Sequence, residues 1–97
     1  MLRLQSNHTS SKPSQTLISQ GIDSIIYFEG NFNGQTAKLV TRPDMDSGWF
    51  EDATYTFTAK AAKAVYLPKG IEFRIEWSGA PSGVSVTFGG TNVPYSV

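Results

Sequence analysis

Between residues 71 and 77, four large apolar side chains, Ile71, Phe73, Ile75 and Trp77, alternate strictly with three charged ones, Glu72, Arg74 and Glu76. A period of two is that of a β-strand with one face buried and one face wet. A slip of one residue would bury all three charges together, so the register is well specified. The alternation returns over residues 53–59, where Ala53, Tyr55, Phe57 and Ala59 interleave with Thr54, Thr56 and Thr58. It returns again over residues 84–88, where Val84, Val86 and Phe88 interleave with Ser85 and Thr87. No stretch of useful length has a helical period, and the expected fold class is all-β.

Turn signals divide the rest of the chain. Residues 17–20 predict a short strand ended by Gly21, and residues 23–32 a longer one. The consecutive Ile25, Ile26, Tyr27 and Phe28 in it imply cover on both faces or a bulge, and Gly30 a bulge or a close backbone approach. Asn33-Gly34 is the strongest short hairpin signal, because both central residues of a type I′ turn need positive φ. Residues 35–42 are therefore expected to return alongside residues 23–32. Pro43, Asp44, Asp46, Ser47 and Gly48 mark a loop, Pro68-Lys69-Gly70 a turn, and residues 79–83 another. Residues 64–67 predict a strand, and residues 91–97 a tail or a short edge strand blunted by Pro94.

This spacing predicts a single antiparallel β-sandwich or jelly-roll-like domain over residues 17–97. Its expected core is Leu39, Trp49, Tyr55, Phe57, Phe73, Ile75, Trp77, Val86 and Phe88. Residues 1–16 read differently. From Gln5 onward they are mostly Ser, Thr, Asn and Gln, too polar to offset their own ordering entropy. They predict a flexible N-terminal arm, either frayed or ordered on a neighbouring subunit. Leu2 and Leu4 would then be the apolar tip that docks.

Composition narrows the partners. Eight basic residues balance eight acidic ones without a basic cluster, which argues against nucleic acid and anionic membrane surfaces. No apolar run approaches the roughly 20 residues that span a bilayer. The absence of cysteine removes disulfides, thiolate chemistry and cysteine-based zinc sites. With no basic-then-apolar leader pattern after Met1, assembly in a reducing cytoplasm is expected.

No catalytic constellation is apparent, so no enzyme activity, metal or cofactor is expected. His8 is the one histidine and has no carboxylate near it in sequence to orient it. Asn7-His8-Thr9 is a glycosylation pattern that matters only in a secreted eukaryotic protein. Asp44 and Asp46 are spaced as at the start of a calcium loop, but Tyr55 stands where the bidentate glutamate belongs. A turn capped by Asp44 and Asp46 is the simpler reading. Asp44 and Trp49 also match part of an Asp-box, itself a structural turn. Glu72 and Glu76 lie about 13 Å apart along one strand, too far for paired-carboxylate glycoside chemistry. Two binding surfaces remain. Thr54, Thr56 and Thr58 could form a flat association face, and Trp49 an exposed ring for stacking a sugar.

The order of motifs carries a resemblance. A Tyr-Phe-Glu-Gly-Asn-Phe-Asn-Gly-Gln-Thr-Ala run at residues 27–37 is followed by Pro43-Asp44 and Gly48-Trp49. Then come Thr-Phe-Thr-Ala at 56–59, Leu-Pro-Lys-Gly at 67–70, Ser-Gly-Ala at 78–80 and Gly-Val-Ser-Val at 83–86. About two thirds of the chain in this order resembles the small β-sandwich proteins among the virion structural genes of tailed bacteriophages. The resemblance implies a non-enzymatic capsid decoration or cement protein, head fibre, or tail accessory subunit. It implies a homo-oligomer, a trimer by preference, bound to a major capsid or tail protein and located in the virion after assembly in the host cytoplasm. No functional residue transfers with it. The alternative function is a carbohydrate-binding β-sandwich module acting through Trp49.

Overall fold

The computed structural model describes residues 1–89 and the backbone of residues 95–96; Pro94, expected to blunt an edge, lies outside the described residues. The strands are β1 (Leu2–His8), β2 (Leu17–Ser19), β3 (Ile22–Gly30), β4 (Ala37–Arg42), β5 (Thr56–Phe57), β6 (Ala61–Leu67), β7 (Glu72–Trp77), β8 (Val84–Gly89) and β9 (Tyr95–Ser96). They form two antiparallel sheets that pack face to face. The front sheet has the order β1-β8-β3-β6 and the back sheet β5-β4-β7-β2-β9.

The wiring follows one rule. β1 pairs with β8, β2 with β7, β3 with β6 and β4 with β5. This is one long hairpin, folded at the β4–β5 connection and rolled until β8 meets β3 and β7 meets β4. Eight strands so rolled make a jelly roll, with β9 added beside β2. The fold is the all-β sandwich that strand spacing predicts.

The alternation of β7 is realised as read. Phe73, Ile75 and Trp77 point inward, paired with Thr41, Leu39 and Ala37 of β4. From the front sheet, Ile22, Ile26 and Phe28 of β3, Val65 and Leu67 of β6, and Val84, Val86 and Phe88 of β8 meet them. Phe73 touches Phe88 edge to face at 5.9 Å, and Phe28 stacks on Phe57 at 4.2 Å. These rings lock the two sheets in one relative position, because aromatic pairs add specific geometry to area burial.

Three expectations are corrected. The first is the N-terminal arm. Leu2–His8 is a strand of the front sheet, and Leu2 and Leu4 are core residues at 7% and 8% exposure, not a docking tip. The polar stretch after it is also tied down. Ser14 N donates to Ile75 O at 2.9 Å, and Ile75 N donates to Ser14 Oγ at 2.8 Å, so Ser14 continues the ladder of β7 beyond the end of β2. The sandwich therefore begins at Leu2. Its polar side chains made the segment look unstructured, whereas the backbone hydrogen bonds that hold it come from β8 and β7, distant in sequence.

The second concerns the Asn33-Gly34 turn. It forms, with φ of 52° and 72° and a bond from Gln35 N to Phe32 O. It joins β3 of the front sheet to β4 of the back sheet, so it is an arch over the end of the sandwich and not a hairpin within one sheet. Phe32 turns into the core beneath it. The third is the strand expected over residues 53–59. Ala53–Tyr55 is a turn of 3-10 helix capped by Asp52, and only Thr56–Phe57 pairs with β4.

Gly30 makes the close approach foreseen for it. Its φ is +134°, and a Cβ there would lie 2.0 Å from Gly83 O. The chain passes so near because Asn31 N donates to Gly83 O, and Ser82 N to Asn31 O.

Candidate binding face

Both sheets turn an outer face to solvent, and the chain treats them differently. On the back sheet the outward side chains are Lys38, Val40 and Arg42 of β4 with Glu72, Arg74 and Glu76 of β7. The loop after β4 folds over them, anchored by a two-way backbone pairing of Thr41 with Phe50. The Trp49 ring then lies 4.3 Å from the Arg42 guanidinium carbon and 4.5 Å from that of Arg74. Arg42 is bound in turn to Glu72 at 2.9 Å, Arg74 to Glu76, and Lys38 to Glu51 at 2.8 Å. Outward-pointing Val40 is fully buried under this layer. Trp49 thus belongs neither to the inner core nor to an open sugar platform; it is the lid of the back sheet.

The front sheet has no such cover among the described residues. Along β3 the outward positions are Asp23, Ile25, Tyr27 and Glu29. Ile25 faces Ala64 of β6 on one side and Gly89 of β8 on the other; Tyr27 faces Ala62 and Thr87. These small neighbours leave the large side chains proud of the sheet. Ile25 is 40% exposed, Tyr27 44% and Tyr66, across from Asp23, 64%. The four consecutive apolar residues 25–28 therefore do not reflect double cover: Ile26 and Phe28 are core, and their neighbours form an uncovered apolar stripe.

Within this face lies a depression of about 390 Å³, floored by Ser85, Thr87 and Gly89 with Tyr27 over it. Met1, Arg3 and Glu29 form its margins. A Cβ on Gly89 would lie 2.7 Å from Tyr27 Cε2, so the ring rests on the space the glycine leaves. That contact fixes the ring on the sheet, where a longer neighbour would lift it. Among the described residues neither Arg3 nor Glu29 has an ion-pair or side-chain hydrogen-bond partner.

The remaining sequence candidates are structural here. Thr54 donates from both its backbone N and its Oγ1 to Asp52 Oδ1, at 2.9 and 2.8 Å, while Thr56 and Thr58 are exposed on and after the two-residue β5. The three threonines share no strand face. His8 Nε2 lies 3.0 Å from Lys12 O, and its ring stacks on Trp77 at 5.7 Å. Asp44 Oδ1 accepts from Asp46 N and Ser47 Oγ, as a turn-closing aspartate does. No group of three or more His, Cys, Asp or Glu residues able to hold a metal occurs among the described residues.

Sequence reasoning placed Ile25 and Tyr27 under cover or at a bulge and did not single out Tyr66. The signal was present, since period two requires half of residues 25–28 to point away from Ile26 and Phe28. Compared with known proteins, the chain matches no family model, no curated protein and no solved structure.

Proposed function

We propose that this chain is a non-enzymatic virion structural protein, a capsid decoration or cement protein or a head or tail accessory subunit. It acts by self-association and by binding a capsid or tail protein through the outer face of the front sheet. One observation carries the reading: Trp49 covers the outer face of the back sheet, in a loop whose Met45 and Phe50 are themselves exposed, while Ile25, Tyr27 and Tyr66 stand exposed on the outer face of the front sheet with no such layer among the described residues. Exposed apolar side chains grouped on one face are the usual mark of a protein contact. The jelly roll is compatible, being common to viral capsid and lectin domains, although a fold alone does not assign function.

The test is attachment. The protein is mixed with assembled shells and with tails of the source phage, and bound material is sedimented. The native chain is expected to sediment with one of them. The double variant Ile25→Thr with Tyr27→Thr, which keeps strand-forming residues, is expected to fold and stay in the supernatant. Failure of the native chain to sediment with either overturns the proposal.

A second reading, glycan recognition, is favoured by the geometry around Tyr27 and not by Trp49. A ring resting over Gly89, beside the hydroxyls of Ser85 and Thr87 and the charged groups of Arg3 and Glu29, suits a pyranose: the ring meets its apolar face and the polar groups its hydroxyls. A glycan array then gives binding that Tyr27→Thr removes and Trp49→Ala retains. An array without signal removes this reading.

A further inference from the structure

Four strands end the two sheets, and three of them are blunted. β1 loses register with β8 twice, between Arg3 and Gln5 and between Gln5 and His8, and Asn7 has a φ of 49°. β5 and β9 have two residues each. Irregular register, short length and edge charges, lysine above all, are devices by which edges avoid pairing with other chains. β6 has neither of the first two, and its one charged residue is Lys63. Its seven residues pair with β3 in unbroken register, from Ile22 with Leu67 to Phe28 with Ala61, and it carries no proline. No strand lies on its other side among the described residues. Ala62, Lys63 and Ala64 in its middle are exposed.

We propose that β6 pairs antiparallel with β6 of a second copy across a two-fold axis, joining two front sheets into one continuous sheet of eight strands. The sequence of the strand selects this occupant. A two-fold axis normal to the sheet keeps like faces together, so residues of equal parity must lie opposite each other. Overlap of the whole strand places the axis at its midpoint, Ala64. Ala64 then faces its own copy, Lys63 faces Val65, Ala62 faces Tyr66 and Ala61 faces Leu67. Every pair off the axis sets unlike partners together. The outer-face pair joins the smallest side chain of the strand to its largest, so the exposed Tyr66 ring covers Ala62 of the second copy. Shifting the axis to Lys63 would oppose two ammonium groups and shorten the overlap. The net charge of zero adds no long-range repulsion between copies.

This deepens the assembly reading and rests on it. The joined sheet presents two Tyr27 faces on one surface. Two weak contacts made together bind far more tightly than either alone, which suits a protein spread over a repeating shell.

The chain lacks cysteine, so a single introduced thiol reports the register directly. Ala64→Cys is expected to form disulfide-linked dimers under mild oxidation, while Thr87→Cys on the same face but away from the edge stays monomeric. Light scattering up to about 100 µM is expected to give twice the 10.6 kDa monomer mass. Ala62→Lys or Tyr66→Glu alone should return the monomer. The two together should restore the dimer, because this register sets the introduced lysine opposite the introduced glutamate. Circular dichroism confirms that each variant folds. A native chain that is monomeric throughout, a trimer, or an Ala64→Cys chain that links no faster than Thr87→Cys overturns β6 pairing. Sedimentation of a monomeric chain with shells or tails would overturn β6 pairing and leave the assembly reading standing. A β6-linked dimer that sediments with neither would support the pairing and overturn the attachment.

Discussion

The indole Nε1 of Trp77 donates to the Gln5 side-chain oxygen at 2.9 Å. The bond runs from the back sheet to the edge strand of the front sheet, across the gap that the core fills. Gln5 is 8% exposed, so neither group has bulk water as an alternative partner. His8 stacks on the same indole, and Phe32 packs against it at 5.5 Å. Trp77 is therefore where the first strand of the chain is joined to the opposite sheet. Gln5→Leu should cost about 1–3 kcal/mol, the penalty for leaving a buried donor unpaired, read as a lower urea midpoint with unchanged slope. Removing residues 1–8 should do far more, because it uncovers β8 and deletes Leu2 and Leu4. A truncated chain with the native midpoint would restore the free-arm expectation.

Trp49 makes a different kind of contact. Its ring lies against two guanidiniums that are themselves paired with Glu72 and Glu76. Trp49→Ala removes two cation–π contacts, each worth about 0.5–1 kcal/mol where partly exposed, and uncovers Val40. A loss of about 1–3 kcal/mol is expected, measured by denaturant unfolding, with attachment through the front sheet unaffected. Unchanged stability would mean that the lid contributes nothing.

Two glycines at positive φ should respond unequally to alanine. At Gly34 nothing lies within 4 Å of an added Cβ, so only backbone strain counts, about 1 kcal/mol. At Gly30 the same strain is joined by a clash with Gly83 O, and the loss should reach about 3 kcal/mol. Thermal unfolding of the two variants side by side gives the order. A Gly30→Ala protein as stable as Gly34→Ala would contradict the close approach of β3 to the turn before β8.

Asp52 supplies an acid-sensitive cap. The backbone N–H of Thr54, then its hydroxyl, then the charge of Lys63 hold its carboxyl below the ordinary aspartate range. A carboxylate with a depressed folded pKa stabilises the fold above its unfolded value, and loses that contribution as pH falls through the folded one. Asp52→Ala should therefore melt below the native chain at neutral pH. The gap should close as pH drops below the ordinary aspartate range, and a gap independent of pH would exclude the charged cap.

Strand formation and inward direction were legible over residues 71–77 and 84–88, whereas the same alternation over residues 53–59 gave a turn of 3-10 helix and the two-residue β5. Phe73, Ile75, Trp77, Val86 and Phe88 point inward as the pattern of residues 71–77 and 84–88 requires. The Asn33-Gly34 turn was legible for the same reason, since a period of two and a positive φ are properties of neighbouring residues. Tertiary structure decided what depends on distant partners. β8 and the Trp77–Gln5 bond made a strand of a polar N-terminus. The rolled hairpin sent β3 and β4 to opposite sheets. The loop after β4 brought Trp49 over one outer face, while nothing comparable covers Tyr27 among the described residues. Local sequence determines which way a side chain points from its strand. Only the packing of chain segments far apart determines whether that direction ends in core, under a lid, or in solvent, because burial is a property of the whole fold.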